Sequence, residues 1–361
     1  MQTDTFSGII FGLLLLLTAS CREAPRRQVS TRVIGTGLLP DVCKDKAGVI
    51  HLVYGSGDSI LYTSSSDNGK HYKKPQLVSV LPGLMLVAKR GPQIAYSRDA
   101  LMVLAINKAG DIFYYRKRQS DAGWEKMGKV NDVPEVAKEA FMDVCSDGGH
   151  MFYAIWLDLR NDHHNKIAGA RSDDDGKSWS PNRILYASPD GAVCPCCKPS
   201  LAIQGKTIYV MFRNNLNGYR DMYVLRSADA GHTFTAPLKL GMGAWKLDAC
   251  PMDGGGIAIN NGGEVFTAWM REGSIFISNL ATPESFLTRG SDCSVAVSGE
   301  HVFVAWKNKD SIRCGTLRGT QHLLIGKGKD AVLTATDAMN AVCFWDDGSR
   351  LYASELRWNE N

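Results

Sequence analysis

Three cysteines fall within four positions of the stretch GAVCPCCKPSLA (residues 191–202): Cys194, Cys196 and Cys197, with Pro195 between the first two. A second stretch, AWKLDACPMDGGG (residues 244–256), places Cys250 close behind Trp245. Thiols at this spacing suit three kinds of chemistry. A zinc site would use Cys194, Cys197 and Cys250, but the C-x-x-C pair has no partner pair at the usual distance along the chain. A haem handle would read C-x-x-C-H, and here Lys198 stands where the histidine belongs. A brace remains: a disulfide from this loop to Cys250, with a Cys196 to Cys197 link beside it, would fix the wall of a pocket. The reading adopted is the brace, with no metal and no cofactor expected.

A second constellation is rich in guanidinium and carboxylate groups. Arg90 lies in KRGPQ, Asp158 and Arg160 in WLDLRND, Arg213 in FRNN, Arg220 in GYRDM, and Arg271 with Glu272 in WMREG. Arginine presents a rigid planar fork that holds a carboxylate through two bonds. Arg90, Arg160, Arg213, Arg220 and Arg271, with Trp245, are therefore the candidates for gripping an acidic ligand, provided the fold gathers them. His163 and His164 in NDHHN read as a polar loop.

The elements that must gather them are strands. Runs such as GVIHLVYG, ALMVLAIN, HMFYAIWLD, TIYVMFRN, EVFTAWMR, HVFVAWKN and NAVCFWDD are short, rich in β-branched and aromatic residues, and end in polar turns. Each has a shorter strand before it and another after it. Seven such units predict an all-β propeller of seven four-stranded blades, with six as the alternative. The last unit stops after its third strand, so STRVIGTG near the N-terminus is expected to supply the fourth and close the ring.

Three segments share one turn, S-x-D-x-G-x-x-aromatic. They are Ser65, Asp67, Gly69 and Tyr72; Ser172, Asp174, Gly176 and Trp179; and Ser227, Asp229, Gly231 and Phe234. The last two copies are about 55 residues apart and the first two about twice that, with a degenerate copy around Asp121, Gly123 and Trp124 in the gap. Serine and aspartate satisfy turn amides, glycine takes a conformation other residues avoid, and the ring tucks under neighbouring strands.

These turns resemble the Asp-box, or bacterial neuraminidase repeat, of the sialidase superfamily, and the likeness spans most of residues 31–361. The resemblance implies a propeller with its ligand face opposite the boxes, an arginine triad, an aspartate acid/base, and a tyrosine nucleophile assisted by a glutamate. By position, Asp158 matches the acid/base, Tyr219 the nucleophile and Glu272 its base. The chain lacks the family's Arg-Ile-Pro segment in the first blade and offers no Arg-Tyr segment in the late blades. Two readings follow: a sialidase-like hydrolase of terminal sialic acid or a related acidic sugar, and a non-catalytic propeller that binds a glycan or a protein.

Ile9–Leu17 form an apolar run too short to span a bilayer, and TASC then ends at Cys21. This resembles a bacterial lipoprotein signal: residues 1–20 as signal, Cys21 as the lipidated residue, 21–30 as linker, and an exported protein held at the outer membrane or in the periplasm by its lipid alone. Disulfides persist in such a compartment. A net charge of +4, with basic and acidic residues interspersed, argues against nucleic acid as a partner.

Overall fold

The computed structural model describes residues 29–118, 120–317 and 321–358, so Cys21 and the signal segment lie outside the described residues. The described residues form twenty-eight strands, β1 to β28 in chain order, arranged as seven four-stranded antiparallel sheets. The protein is thus a seven-bladed β-propeller, and the six-blade alternative falls away. The innermost strands are β2 (Leu38–Lys44), β6 (Gln93–Tyr96), β10 (Met142–Ser146), β14 (Ser200–Gln204), β18 (Gly256–Ile259), β22 (Ser291–Ser298) and β26 (Lys329–Ala335). Each neighbours the next, and β26 returns to β2.

Closure comes from the two ends of the described chain. The last blade runs β26, β27 (Asn340–Asp346), β28 (Arg350–Arg357) and then β1 (Val29–Thr36), which pairs antiparallel with β28 from Val29 opposite Leu356 to Thr36 opposite Arg350. The expected closing strand is therefore present, starting within the stretch read as linker.

Blades pack face to face, so the second strand of a blade is buried on both sides. In β7 (Ala100–Ile106) and β11 (Phe152–Asp158) all seven residues are buried. This is why these strands read as continuous apolar runs without alternation. The core is a set of clusters between adjacent blades, such as Met102, Leu104 and Tyr114 against Phe152, Ala154 and Trp156.

The three repeated turns have one geometry. In the last of them, Ser227 Oγ donates to Asp229 Oδ1 (2.7 Å) and accepts from Gly231 N (2.9 Å), while Asp229 Oδ1 accepts from Thr233 N (2.9 Å). The copies at Ser65 and Ser172 repeat these bonds. The aromatic residue reaches back to the preceding blade: Tyr72 meets Phe344, Trp179 meets Tyr114, and Phe234 meets Tyr153, each edge-on with ring centres 6.0 Å apart. Each box is thus an inter-blade clip.

Its glycine has no substitute, because Gly231 sits at φ +85° and a Cβ there would lie 2.2 Å from the Tyr153 ring of the blade before it. Gly231→Ala is expected to lower the unfolding free energy by about 2 kcal/mol, from a strained backbone and a displaced ring. Gly123, in the degenerate copy, faces open space, and Gly123→Ala should change stability by less than about 0.5 kcal/mol; urea unfolding of the two variants checks the contrast.

Candidate functional site at the channel mouth

The arginines singled out in the sequence do approach one another, but internal partners occupy them. Arg213, Arg220 and Arg271 line one cleft with Asp221 and Trp269, and that cleft is too narrow to admit a water molecule. Arg213, at the end of β15 (Thr207–Arg213), is 1% exposed and donates to three backbone carbonyls: Asp253 (2.9 Å), Arg220 (2.6 Å) and Met270 (2.8 Å). Arg271 is bound by both oxygens of Glu284, at 2.7 and 2.6 Å, and lies over the Phe276 ring. Arg90 donates to the Glu139 carbonyl (2.6 Å) and covers Phe141. Arg220 donates to the Leu247 carbonyl (3.3 Å), and the half-buried Trp245 lies against Arg213.

The carboxylate and phenol expectations meet similar geometry. Asp158 is fully buried, accepts from the Trp156 indole (2.8 Å), and forms a two-pronged pair with Arg160, at 2.8 and 2.9 Å. Arg160 also reaches Asp132 (3.2 Å). A carboxylate so enclosed orders a loop and has no path to a leaving group. Tyr219 is 39% exposed, its backbone in short bridges with Leu216 and Lys246. Glu272 occupies the turn after β19 (Val265–Arg271) at φ 54°. No hydrogen bond joins Tyr219 to Glu272, so the expected nucleophile and base are not assembled as a pair.

The cysteine expectation also needs correction. The nine described cysteines are free thiols, so Cys250 is not bonded to the loop and Cys196 is not bonded to Cys197. Instead Cys194, Cys196 and Cys197 bury their sulfurs together: Cys194 Sγ lies 3.6 Å from Cys196 Sγ and 3.3 Å from Cys197 Sγ, and those two lie 4.0 Å apart. Hydrogen bonds with Cys196 and Cys197 push the Cys194 thiol well below the usual thiol range, and Arg220 adds to the effect. Burial pushes Cys197 the opposite way.

The open cavity lies on the propeller axis, where the seven inner strands begin. It measures about 210 Å³, and its charged lining is Lys89 and Lys198 against Asp41, Asp143, Asp253, Asp292 and Asp330. Lys198 pairs with Asp143 (3.3 Å), and Lys89 stands 3.9 Å from Asp292 and 4.0 Å from Asp330. Burial alone would lower the Lys89 pKa; Asp292, Asp330 and Asp253 overcome it and hold the ammonium charged. Gln93 Oε1 is buried with no hydrogen-bond partner in the protein, and Asp330 Oδ2 has none either but lies 3.7 Å from the Lys329 ammonium, so the Gln93 oxygen is free to receive a donor.

Three of these carboxylates also tie the blades together. Asp41 accepts from Ile94 N (2.7 Å), Asp143 from Leu201 N (2.8 Å) and Asp253 from Asp292 N (2.7 Å), each amide belonging to the next inner strand around the ring. Asp41 retains some exposed area, yet protein surrounds its carboxyl closely. That burial raises its pKa to about 7, with Lys198 opposing and Asp143 reinforcing. The sequence carries a signal for this cavity apart from its arginines. LLPDVCK, FMDVCS, GSDCSV and GKDAVL each set an aspartate at the start of an inner strand.

No protein-family model and no curated protein sequence matches the chain. Solved structures do. A protein of unknown function from Dyadobacter fermentans aligns over 92% of this chain and 100% of its own, at 13% identity and a TM-score of 0.53. The Hadza microbial sialidase Hz136 aligns over 89% of this chain and 66% of its own, at 13% identity and TM-score 0.53. A PL25 ulvan lyase, a polysaccharide lyase, aligns over 88% and 93%, at 11% identity and TM-score 0.56. At such identities the likeness is one of fold.

The raised Asp41 pKa fixes a sign for the pH dependence of stability. Between about pH 4 and about pH 7 the folded chain keeps this proton and the unfolded chain has lost it, so the Asp41 contribution to stability falls as pH rises, by about 1.4 kcal/mol per unit. Asp41→Asn keeps an oxygen for Ile94 N and removes the titration. Its stability relative to the parent is expected to rise from pH 4 to pH 7, read from paired denaturant curves.

Proposed function

We propose that this propeller binds a glycan in the charged well at its axis, and that the sugar is neutral or amino-bearing in preference to acidic. The observation that carries this reading is the well's lining: five aspartates and two lysines, with the guanidinium groups that an acidic sugar would need already bound inside the protein. Even with Asp41 protonated, the aspartates outnumber the ammonium groups. Carboxylates and ammoniums in one small cavity accept from and donate to hydroxyls, and a sialic acid carboxylate would enter against a negative field. Glycan chemistry in this fold is supported by the ulvan lyase, whose structure is described as bound to -[GlcA(1-4)Rha3S]-, and by the Hadza sialidase. Export and lipid anchoring at Cys21 form part of the same proposal and rest on the N-terminal sequence.

A hydrolytic reading has one observation of its own. Asp41 holds its proton near neutrality beside Asp143 and Lys198, the pattern of a general acid with a charged neighbour. This reading assigns acid–base work to the well, away from Asp158, Tyr219 and Glu272.

A glycan array spanning neutral, amino, uronate and sialylated sugars separates these readings, followed by titration of the best ligand. Binding of neutral or amino sugars that Lys198→Ala weakens at least tenfold is the expected outcome. Release of sialic acid from the sialylated panel, abolished by Tyr219→Phe, would overturn it in favour of a sialidase. Sugar turnover lost in Asp41→Asn with binding intact would assign the hydrolytic role to the well.

A further inference from the structure

The buried triangle of Cys194, Cys196 and Cys197 has an arrangement that packing alone does not require. Separations of 3.3, 3.6 and 4.0 Å put three sulfurs in mutual contact with no bond between any two. Cys314 and Cys343, by contrast, lie within strands and pack among apolar side chains. A thiol is a weak donor and a weak acceptor, so a three-thiol contact supplies little cohesion.

The triangle does have the dimensions of a ligand set. Its centre lies about 2.1 Å from each sulfur, so an ion at the usual Zn–S length of about 2.3 Å sits just above the sulfur plane with its fourth position open. Cys250, on the neighbouring loop, is within interaction range of Cys196. The cluster's surroundings are cationic: Arg220 Nη1 stands 3.6 Å from Cys194 Sγ, and the Arg90 charge interacts with Cys196 and Cys250. Three or four thiolates on one cation leave excess negative charge, and guanidinium groups offset it. The backbone is also held in place, with Val193 N bonded to the Asn165 carbonyl (2.8 Å) and Cys194 N to the Arg213 carbonyl (3.1 Å).

We propose that Cys194, Cys196 and Cys197 bind a thiophilic d¹⁰ cation, zinc(II) or copper(I), as thiolates, any proton still held by a sulfur passing to solvent on binding. Zinc completes four-coordination with Cys250; copper(I) is served by the three sulfurs alone. The ion replaces the disulfide brace expected from the sequence. With Cys250 drawn in as fourth ligand, zinc clips the loop leading into Lys198 to the loop leading into Asp253, two segments that line the axial well. The site is independent of the glycan reading, because its ligands lie outside the cavity lining.

The test uses the full-length chain, purified without chelator and then reduced and demetallated under anaerobic conditions. Reconstitution with zinc(II), copper(I) and the spectroscopic probe cobalt(II) is followed by elemental analysis and absorption. One ion per chain is expected, together with thiolate-to-cobalt charge transfer and the intense visible bands of a tetrahedral site. Cys194→Ser and Cys197→Ser should lose the ion, whereas Cys314→Ser keeps it. Cys250→Ser should weaken zinc at least tenfold while leaving copper(I), and loss of both ions in that variant would still support the site, with Cys250 as a ligand to each. Because serine variants can misfold, the parent chain supplies a second readout: bound ion should shield Cys194, Cys196 and Cys197 from alkylation, as mapped by mass spectrometry. Absence of stoichiometric metal from the folded chain, or a disulfide among these cysteines in freshly purified protein that takes up no ion, overturns the proposal.

Discussion

Everything in this molecule depends on one pairing, that of β1 with β28. A toroid of separate sheets has no strand ladder running around its circumference, so its closure falls to a single blade that takes strands from both ends of the described chain. Without that ladder the last blade would be one strand short of its six neighbours, with β28 as its outer edge. The pairing is reinforced beyond the backbone. Thr31 and Ser354 share a hydroxyl bond (2.8 Å), and Arg32 pairs with Glu355.

Closure forces the inner strands together around the axis, where they cannot form ladders with each other because the blades splay outward. The amides left facing the preceding blade need other acceptors. Asp41, Asp143 and Asp253 supply them, and this accounts for so many carboxylates near the axis of a protein whose overall charge is slightly positive. The well's polarity is thus a by-product of holding the ring, with Lys89 and Lys198 limiting the repulsion. A ligand meets groups that the fold had already fixed in place for its own stability, which lowers the ordering cost of binding.

The same economy explains the arginines. A guanidinium has five donors, and near the junction of loops from adjacent blades there are many unpaired carbonyls. Arg213 meets three of them at once, binding the Asp253 carbonyl on the very segment whose carboxylate lines the well. Residue type alone cannot separate an arginine that grips a ligand from one that grips its own loops. The difference lies in partners distant in sequence, such as Glu284 for Arg271 and the Glu139 carbonyl for Arg90.

What the sequence determined by itself was the architecture. Seven strand runs and the truncated last unit carried the blade number and the closing strand, because these are local signals repeated many times. The Asp-box geometry was equally legible, since serine, aspartate and glycine act within one turn. Only the tertiary structure decided the site. Asp41, Asp143, Asp292 and Asp330 are more than thirty residues apart along the chain and become neighbours because seven strand starts converge on one axis. The cysteines were visible from the first reading, but whether three thiols bond, disperse or face a common point depends on where the chain turns after Pro195, which spacing does not encode.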